Sequence, residues 1–338
     1  MEPRILCGTR RSIGRQKGVR IRDLRLVTPT EDDREFARHS RSLVETHHPA
    51  IVEEFNGLVE MSGIEPAVLE SHYFGRTHRL PGCTNLAVTP GTSRNGRLLA
   101  GRNYDWSYAD RRWCEGVQIA PSGEPVRLGY THHWSGLCDG MNESGLTILI
   151  AALHDGSQPR PGFQWHIAVD MVLSRATNVE QAMDLLRGVP HVRSMSYLIA
   201  DTYGTVLVQV SDGVTFVVEP ENGLLAGTNH LVSEEARVPG ALQNSVTRRQ
   251  CALRLLRQRD QITTRTLREV LSDHSSGICA GEHGESIGGE SAVGGSGTIW
   301  SLIAVPERKT LLIARGHPCR EPYRMLRWLP VGNRSLDH

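Results

Sequence analysis

A chain of 338 residues, 39% hydrophobic and 22% charged, has the composition of a soluble globular protein with one large core or two ordinary ones. Lys+Arg 38 against Asp+Glu 37 leaves a formal charge of +1, so the total charge points to neither nucleic acid nor an anionic membrane as partner. No apolar run approaches the roughly 20 residues of a membrane helix, and no apolar stretch with a small-residue cleavage site opens the sequence, so a soluble, cytoplasmic protein is expected.

The sequence starts basic. Arg4, Arg10, Arg11, Arg15, Lys17, Arg20, Arg22 and Arg25 crowd its beginning without an interleaved aromatic residue, which predicts a solvated, partly mobile arm over residues 1–30 and no nucleic-acid surface. Thr30-Glu31-Asp32-Asp33 has the acidic first turn of a helix start. From there Phe36, Leu43, Val44, Ile51, Val52, Phe55, Leu58 and Val59 keep helical spacing, with a break at His48-Pro49, and a short helix is predicted from Glu65-Pro66 to about Ser71. Residues 31–82 therefore read as a folded helical segment.

Next comes Leu80-Pro81-Gly82-Cys83-Thr84-Asn85, which puts a thiol at the first residue of a predicted strand. A cut between Gly82 and Cys83 would give one residue both a thiol and a free α-amine, whose reference pKa values of about 8.5 and about 7.7–8.0 let the amine act as the thiol's base. Gly82 suits such a cut, because a residue without a side chain lets the thiol approach the preceding carbonyl. The plain alternative is a Pro-Gly turn followed by an inert apolar cysteine.

Residues 84–89, 98–103, 113–119 and 126–131 are rich in strand formers and are separated by turn signals at Arg94-Asn95-Gly96 and Pro121-Ser122-Gly123. Gly140-Met141-Asn142-Glu143-Ser144-Gly145 reads as a turn into the apolar strand 146–153. Helices are predicted over 164–174 and 178–186, strands over 196–200, 205–210, 215–219 and 223–226, and helices again over 245–257 and 264–271. Strands 298–304 and 310–314 follow a glycine-rich loop, 281–297, that lacks the setting and the Lys-Ser/Thr of a phosphate cradle and reads as a flap. This order lets two sheets stack with helices outside both: an α+β protein, a four-layer αββα sandwich over 83–325 with a tail over 326–338.

The seven cysteines are odd in number, scattered and without a C-x-x-C pair, which argues against a disulfide framework or a zinc site and for a reducing compartment. Among fifteen histidines, His47-His48 and His132-His133 are adjacent pairs that do not share a helix face. Neither a metal nor a cofactor is expected.

Gly82-Cys83-Thr84, the run Gly101-Arg102-Asn103-Tyr104-Asp105-Trp106, Gly140 to Leu146 and Thr228-Asn229-His230 occur in this order in a known superfamily. With them, and with the tail Gly316-His317-Pro318-Cys319-Arg320-Glu321-Pro322-Tyr323, the chain resembles the acyl-coenzyme A:6-aminopenicillanic acid acyltransferase group of cysteine N-terminal-nucleophile hydrolases, over about residues 40–325. The bile-salt and penicillin V amide hydrolases are more distantly similar. The resemblance implies a helical pro-segment cut at Gly82-Cys83, Cys83 as nucleophile with its α-amine as base, Asp105 bound to that amine, Arg102 favouring the thiolate, and Asn229 donating to the oxyanion. It implies a self-cleaving amidase or acyltransferase that breaks a linear amide C–N bond through a thioester and passes the acyl group to water or an amine. Small-molecule amides or acyl donors, acyl-coenzyme A among them, would be the substrates, and the two pieces would stay associated.

There are departures. The arginine that the bile-salt group places after its last long loop has no counterpart at Gly294–Gly297, a polar position beside the oxyanion falls on Ala151-Ala152, and Pro81 stands where acyltransferase precursors commonly carry an acid. Trp106, Trp113, Trp134 and Trp165 would line an aryl or acyl pocket or else pack the core. Two rival readings are a non-catalytic binding protein that keeps the fold, and a papain-like hydrolase with His230 beside the thiol.

Overall fold

The computed structural model describes residues 1–76, 82–132, 135–237, 239–281 and 295–331. In chain order, β1 (Arg4–Gly8) leads into α1 (Arg10–Arg20), α2 (Glu31–His47), α3 (Pro49–Ser62) and α4 (Pro66–Tyr73). Six strands follow: β2 (Gly82–Val88), β3 (Leu99–Ser107), β4 (Glu115–Pro121), β5 (Arg127–Thr131), β6 (Leu137–Asn142) and β7 (Thr147–Ala152). Then come α5 (Trp165–Arg175), α6 (Val179–Arg187), β8 (Met195–Ala200), β9 (Thr205–Ser211), β10 (Val214–Val218) and β11 (Leu224–Gly227). The chain closes with α7 (Gln243–Arg257), α8 (Thr264–Leu271), β12 (Ser296–Val305), β13 (Thr310–Ala314) and β14 (Arg324–Leu326).

The strands form two sheets, ordered β1-β4-β5-β6-β7-β8-β9-β10 and β11-β2-β3-β12-β13-β14. Helices α5 and α6 cover the large sheet, α7 and α8 cover the small one, and β2 packs across the interior against β7 and β8. This is the expected αββα sandwich. The core lies between the sheets, where Leu149, Leu198, Leu207 and Trp300 are fully enclosed. Among the described residues no helix is long and apolar enough to cross a membrane.

Local signals explain most element ends. Thr30 accepts from the Asp33 amide while Asp33 accepts from the Thr30 amide, a reciprocal cap on α2. His48-Pro49 separates α2 from α3, Gly63 at φ 68° ends α3, and the Glu65 carboxylate caps the Ala67 and Val68 amides of α4.

Two segments differ from the sequence reading. Residues 4–20 build a strand and a helix where composition suggested a solvated arm. β1 runs parallel to β4 at the edge of the large sheet, and α1 packs on α3 so closely that a Cβ at Gly14 would stand 1.8 Å from the Glu54 carbonyl oxygen. Two of the basic residues are held there by buried acids. Arg10 and Lys17 both pair with Glu54, and Arg10 also reaches Asp170 on α5 at 2.9 Å. Arg127 and His48 complete the cluster, 2.7 and 2.9 Å from the same Asp170. Burial works against the Asp170 charge, but Arg10, Arg127 and His48 outweigh it and hold the carboxyl well below its ordinary range. The second difference is β6, which runs through Gly140-Met141-Asn142; only the residues after Asn142 turn, with Gly145 at φ 89°. The tail drawn from residue 326 starts inside β14. Leu80, Pro81, Trp134 and most of the glycine-rich loop lie outside the described residues.

Candidate active site

β2 and β3 pair antiparallel, with Gly82 opposite Asp105, Cys83 opposite Tyr104 and Asn85 opposite Arg102. Strand alternation then sends Arg102 and Tyr104 inward and Asp105 and Asn103 outward toward α7 and α8. Cys83 is fully buried, and its Sγ lies 3.2 Å from Arg102 Nη2. The other Arg102 nitrogen is bonded to Asp139 on β6, across the sandwich, and Asp139 Oδ2 accepts from Trp300 Nε1 at 2.9 Å. The guanidinium carbon also sits 4.6 Å from the Tyr104 ring centroid. Burial works against the Arg102 charge, but Asp139 keeps the group protonated. The Cys83 thiol is pushed up by burial, with Arg102 opposing the shift.

On the outer face, Asp105 Oδ1 accepts from the Thr298 hydroxyl at 2.7 Å. Asp105 Oδ2 is buried and has no hydrogen-bond partner among the described residues, and a Cβ on Gly82 would stand 3.1 Å from it. The missing side chain at position 82 is thus the space in which this carboxylate oxygen meets the backbone just ahead of the thiol. Burial pushes the Asp105 carboxyl up to about 6, against the pull of Arg248, the Thr298 hydroxyl and Arg102.

Asn229 lies just past β11, beside Cys83. Its Oδ1 accepts from the Cys83 backbone N–H at 3.0 Å and from Arg248 Nη2 at 2.7 Å, while its Nδ2 donates to the Ala152 carbonyl at 2.9 Å. Arg248 can only donate, which settles the orientation of the amide. In the uncut chain Asn229 therefore holds the Cys83 amide, and one of its two amide N–H groups donates to Ala152. Arg248, from α7, donates to the Cys83 carbonyl at 2.5 Å and to Thr84 Oγ1 at 2.9 Å.

The fold thus gathers Gly82, Cys83, Arg102, Asp105 and Asn229 in one place and adds four residues that sequence reasoning missed: Asp139, Arg248, Thr298 and Trp300. Asp139 had a signal, an acid inside an otherwise apolar strand; Arg248, on a helix with several other arginines, had none. His230 bonds Ser245 Oγ at 2.8 Å and Glu235 at 3.2 Å instead of the thiol, and Cys83 sits in a strand, so a papain-like arrangement is absent. A cavity of about 380 Å³ opens at Arg102, walled by Trp106, Trp113, Trp165, Ile150 and Ala152, with Leu24, Leu26 and His72 of the N-terminal segment among its lining. No metal-ligating cluster occurs around Cys83 among the described residues.

The family model for acyl-coenzyme A:6-aminopenicillanic acid acyl-transferase matches residues 92–318. The chain belongs to that family. The matched span contains Arg102, Asp105, Asn229 and Arg248 and begins after Cys83. Solved structures share the acyltransferase family's sandwich. An N-acylethanolamine-hydrolyzing acid amidase ortholog from Caenorhabditis elegans is similar over 66% of this chain and 93% of its own, at 16% identity and TM-score 0.50. Penicillin V acylase from Agrobacterium tumefaciens is similar over 69% and 83%, at 16% identity and TM-score 0.51. A mutant of conjugated bile acid hydrolase from Clostridium perfringens is similar over 73% and 97%, at 14% identity and TM-score 0.53. No curated protein matches the sequence. This acyltransferase-family member is an enzyme of the amidohydrolase or acyltransferase type with the N-terminal-nucleophile hydrolase fold.

Proposed function

We propose that the chain is a self-cleaving cysteine amidase or N-acyltransferase that cuts itself between Gly82 and Cys83. The observation that carries this reading is the buried Asp105 oxygen aimed at Gly82, with the Cys83 thiol against Arg102 one residue on. In the maturation step Cys83 Sγ attacks the Gly82 carbonyl carbon. The S–C bond forms and the Gly82–Cys83 C–N bond breaks, with nitrogen keeping the electron pair and receiving the thiol proton by way of Asp105. Water then hydrolyses the thioester, leaving a Gly82 carboxylate and a free α-amine on Cys83.

In the mature site that amine takes the thiol proton while Sγ attacks a linear amide, and returns it to the departing amine. Arg102, kept cationic by Asp139, stabilises the thiolate, and Asp105 fixes the amine. Asn229, released from the peptide N–H by the cut, would turn its amide toward the oxyanion. Water or a second amine resolves the thioester. The tryptophan-walled cavity fits an acyl or aryl group, and Arg112 and Arg193 in its lining suit an anionic donor such as acyl-coenzyme A, which the family name suggests.

The helical pro-segment 31–82 and the catalytic domain 83–325 would remain one particle. The pairing of β1 with β4 and the buried cluster of Arg10, Lys17, His48 and Glu54 with Asp170 and Arg127 both cross the cut. All seven cysteines are free, which supports a reducing, cytoplasmic setting. Denaturing mass spectrometry tests the proposal: the wild type gives two pieces, 1–82 and 83–338, and Cys83→Ala gives one chain. An uncut wild type that still hydrolyses amides would refute the α-amine as base.

A further inference from the structure

Away from Cys83 the fold assembles a second group of sulfur and nitrogen donors that the proposed reaction does not use. Cys279 lies in the loop after α8, and Cys319 follows β13 in the stretch Gly316-His317-Pro318-Cys319. Their sulfurs are 3.8 Å apart, both thiols are free, and Cys279 Sγ is 3.6 Å from His317 Nδ1. One ligand atom each from His274, Cys279 and Cys319 fall within 4.8 Å of one another.

We propose that His274, Cys279 and Cys319 bind one zinc ion, with a water molecule in the fourth position. A tetrahedral zinc with metal–sulfur bonds of about 2.3 Å and metal–nitrogen bonds of about 2.0–2.1 Å sets sulfur–sulfur edges of about 3.8 Å and sulfur–nitrogen edges of about 3.5 Å. The observed sulfur–sulfur edge matches that length. Two thiolates with an imidazole are a donor set that selects zinc over magnesium or calcium, which take oxygen.

The His274 imidazole is oriented by its second nitrogen, as metal-bound histidines are. His274 Nδ1 lies 3.0 Å from the Cys279 carbonyl, which can only accept, so the proton is on Nδ1 and the lone pair on Nε2. His317 Nε2 lies 3.0 Å from the Tyr108 hydroxyl, which leaves Nδ1 facing the Cys279 sulfur. Cys279 is buried, whereas His274 and Cys319 are exposed, so an ion can enter from solvent and keep one water.

Sequence spacing argued against zinc because no C-x-x-C pair exists. The ligands come instead as His274-x4-Cys279 and the distant Cys319, brought together only by the fold. The ion would clamp the loop after α8 to the segment after β13. That loop supports the Cys83 site from behind: Ile278 O accepts from Asn103 Nδ2 at 2.7 Å, and the Ala280 N–H donates to Thr298 Oγ1 at 2.9 Å, which in turn holds Asp105.

Metal analysis of the full chain, purified from zinc-supplied cells and freed of loose ions, tests this. About one zinc per chain is expected, falling to background in Cys319→Ser and at least tenfold in His274→Ala, two changes at exposed positions. As a readout that needs no variant, cobalt added to the zinc-stripped wild type would develop the visible bands of tetrahedral cobalt together with sulfur-to-cobalt charge transfer. Absence of both zinc and the cobalt spectrum overturns the proposal, as does a Cys279–Cys319 disulfide in peptide maps made without reductant.

Discussion

Replacing Asp105 by Asn, in a chain that cannot cut itself, should stabilise the protein at neutral pH and not in acid. Burial pushes this carboxyl from its ordinary value of 3.8 up to about 6. A tenfold change in proton affinity corresponds to about 1.4 kcal/mol, so the ionised side chain costs the folded chain about 3 kcal/mol. Because the folded-state pKa is the higher one, the native state holds a proton between about pH 4 and pH 6 that the unfolded chain has released. Stability therefore falls as pH rises through that window, and the loss is complete above it. Asn removes the titration, and its Oδ1 can still accept from Thr298. Urea unfolding of Cys83→Ala and of Cys83→Ala/Asp105→Asn at pH 4 and pH 8 isolates the effect, since any constant packing difference cancels between the two pH values. The advantage of the Asn variant should grow by about 3 kcal/mol from pH 4 to pH 8. A difference that stays flat, or grows toward acid, would show that Asp105 is not held near the pKa on which its role rests.

Three further outcomes are expected. Gly82→Ala brings a Cβ to within 3.1 Å of Asp105 Oδ2, so the chain should fold but cut at least about tenfold more slowly, read by time-resolved denaturing gels; unchanged cutting would remove the contact from the mechanism. Arg102→Met strands the buried Asp139 carboxylate and should cost about 3–5 kcal/mol, whereas Arg102→Met/Asp139→Leu should recover much of that stability without recovering cleavage; recovery of both would make the pair merely structural. Gly14→Ala drives a Cβ into the Glu54 carbonyl at 1.8 Å, and calorimetry should show a loss of about 1–3 kcal/mol or more, with an unchanged melting point counting against the close α1–α3 crossing.

Much of the architecture was legible because local chemistry determines it. The Thr30 cap, the Pro49 break, the bounds of α8 and the apolar run of β13 each depend on neighbours within a few residues, and all appear where periodicity and capping place them. Gly82-Cys83 stood out for the same reason, as a reactive residue type beside a strand start, whereas Arg102, Asp105 and Asn229 were singled out by the family resemblance. What the sequence could not convey was which distant groups would meet. The parallel partner of Arg4 is Val117, so β1 carries no hairpin signal, and Arg10 and Lys17 of α1 read as solvated until Glu54 and Asp170 are seen to enclose them.

The amino-acid order by itself determined most elements from α2 onward and their layer sequence, and it singled out Cys83 as the candidate thiol. Tertiary structure alone decided the environment of that thiol: Arg248 arriving from α7, Asp139 crossing from the opposite sheet, and Asp105 left with one bare oxygen against Gly82. The physical reason is range. Backbone preference and hydrophobic period act between near neighbours, whereas a buried charge has its state set by whichever partners the folded chain brings within a few ångströms.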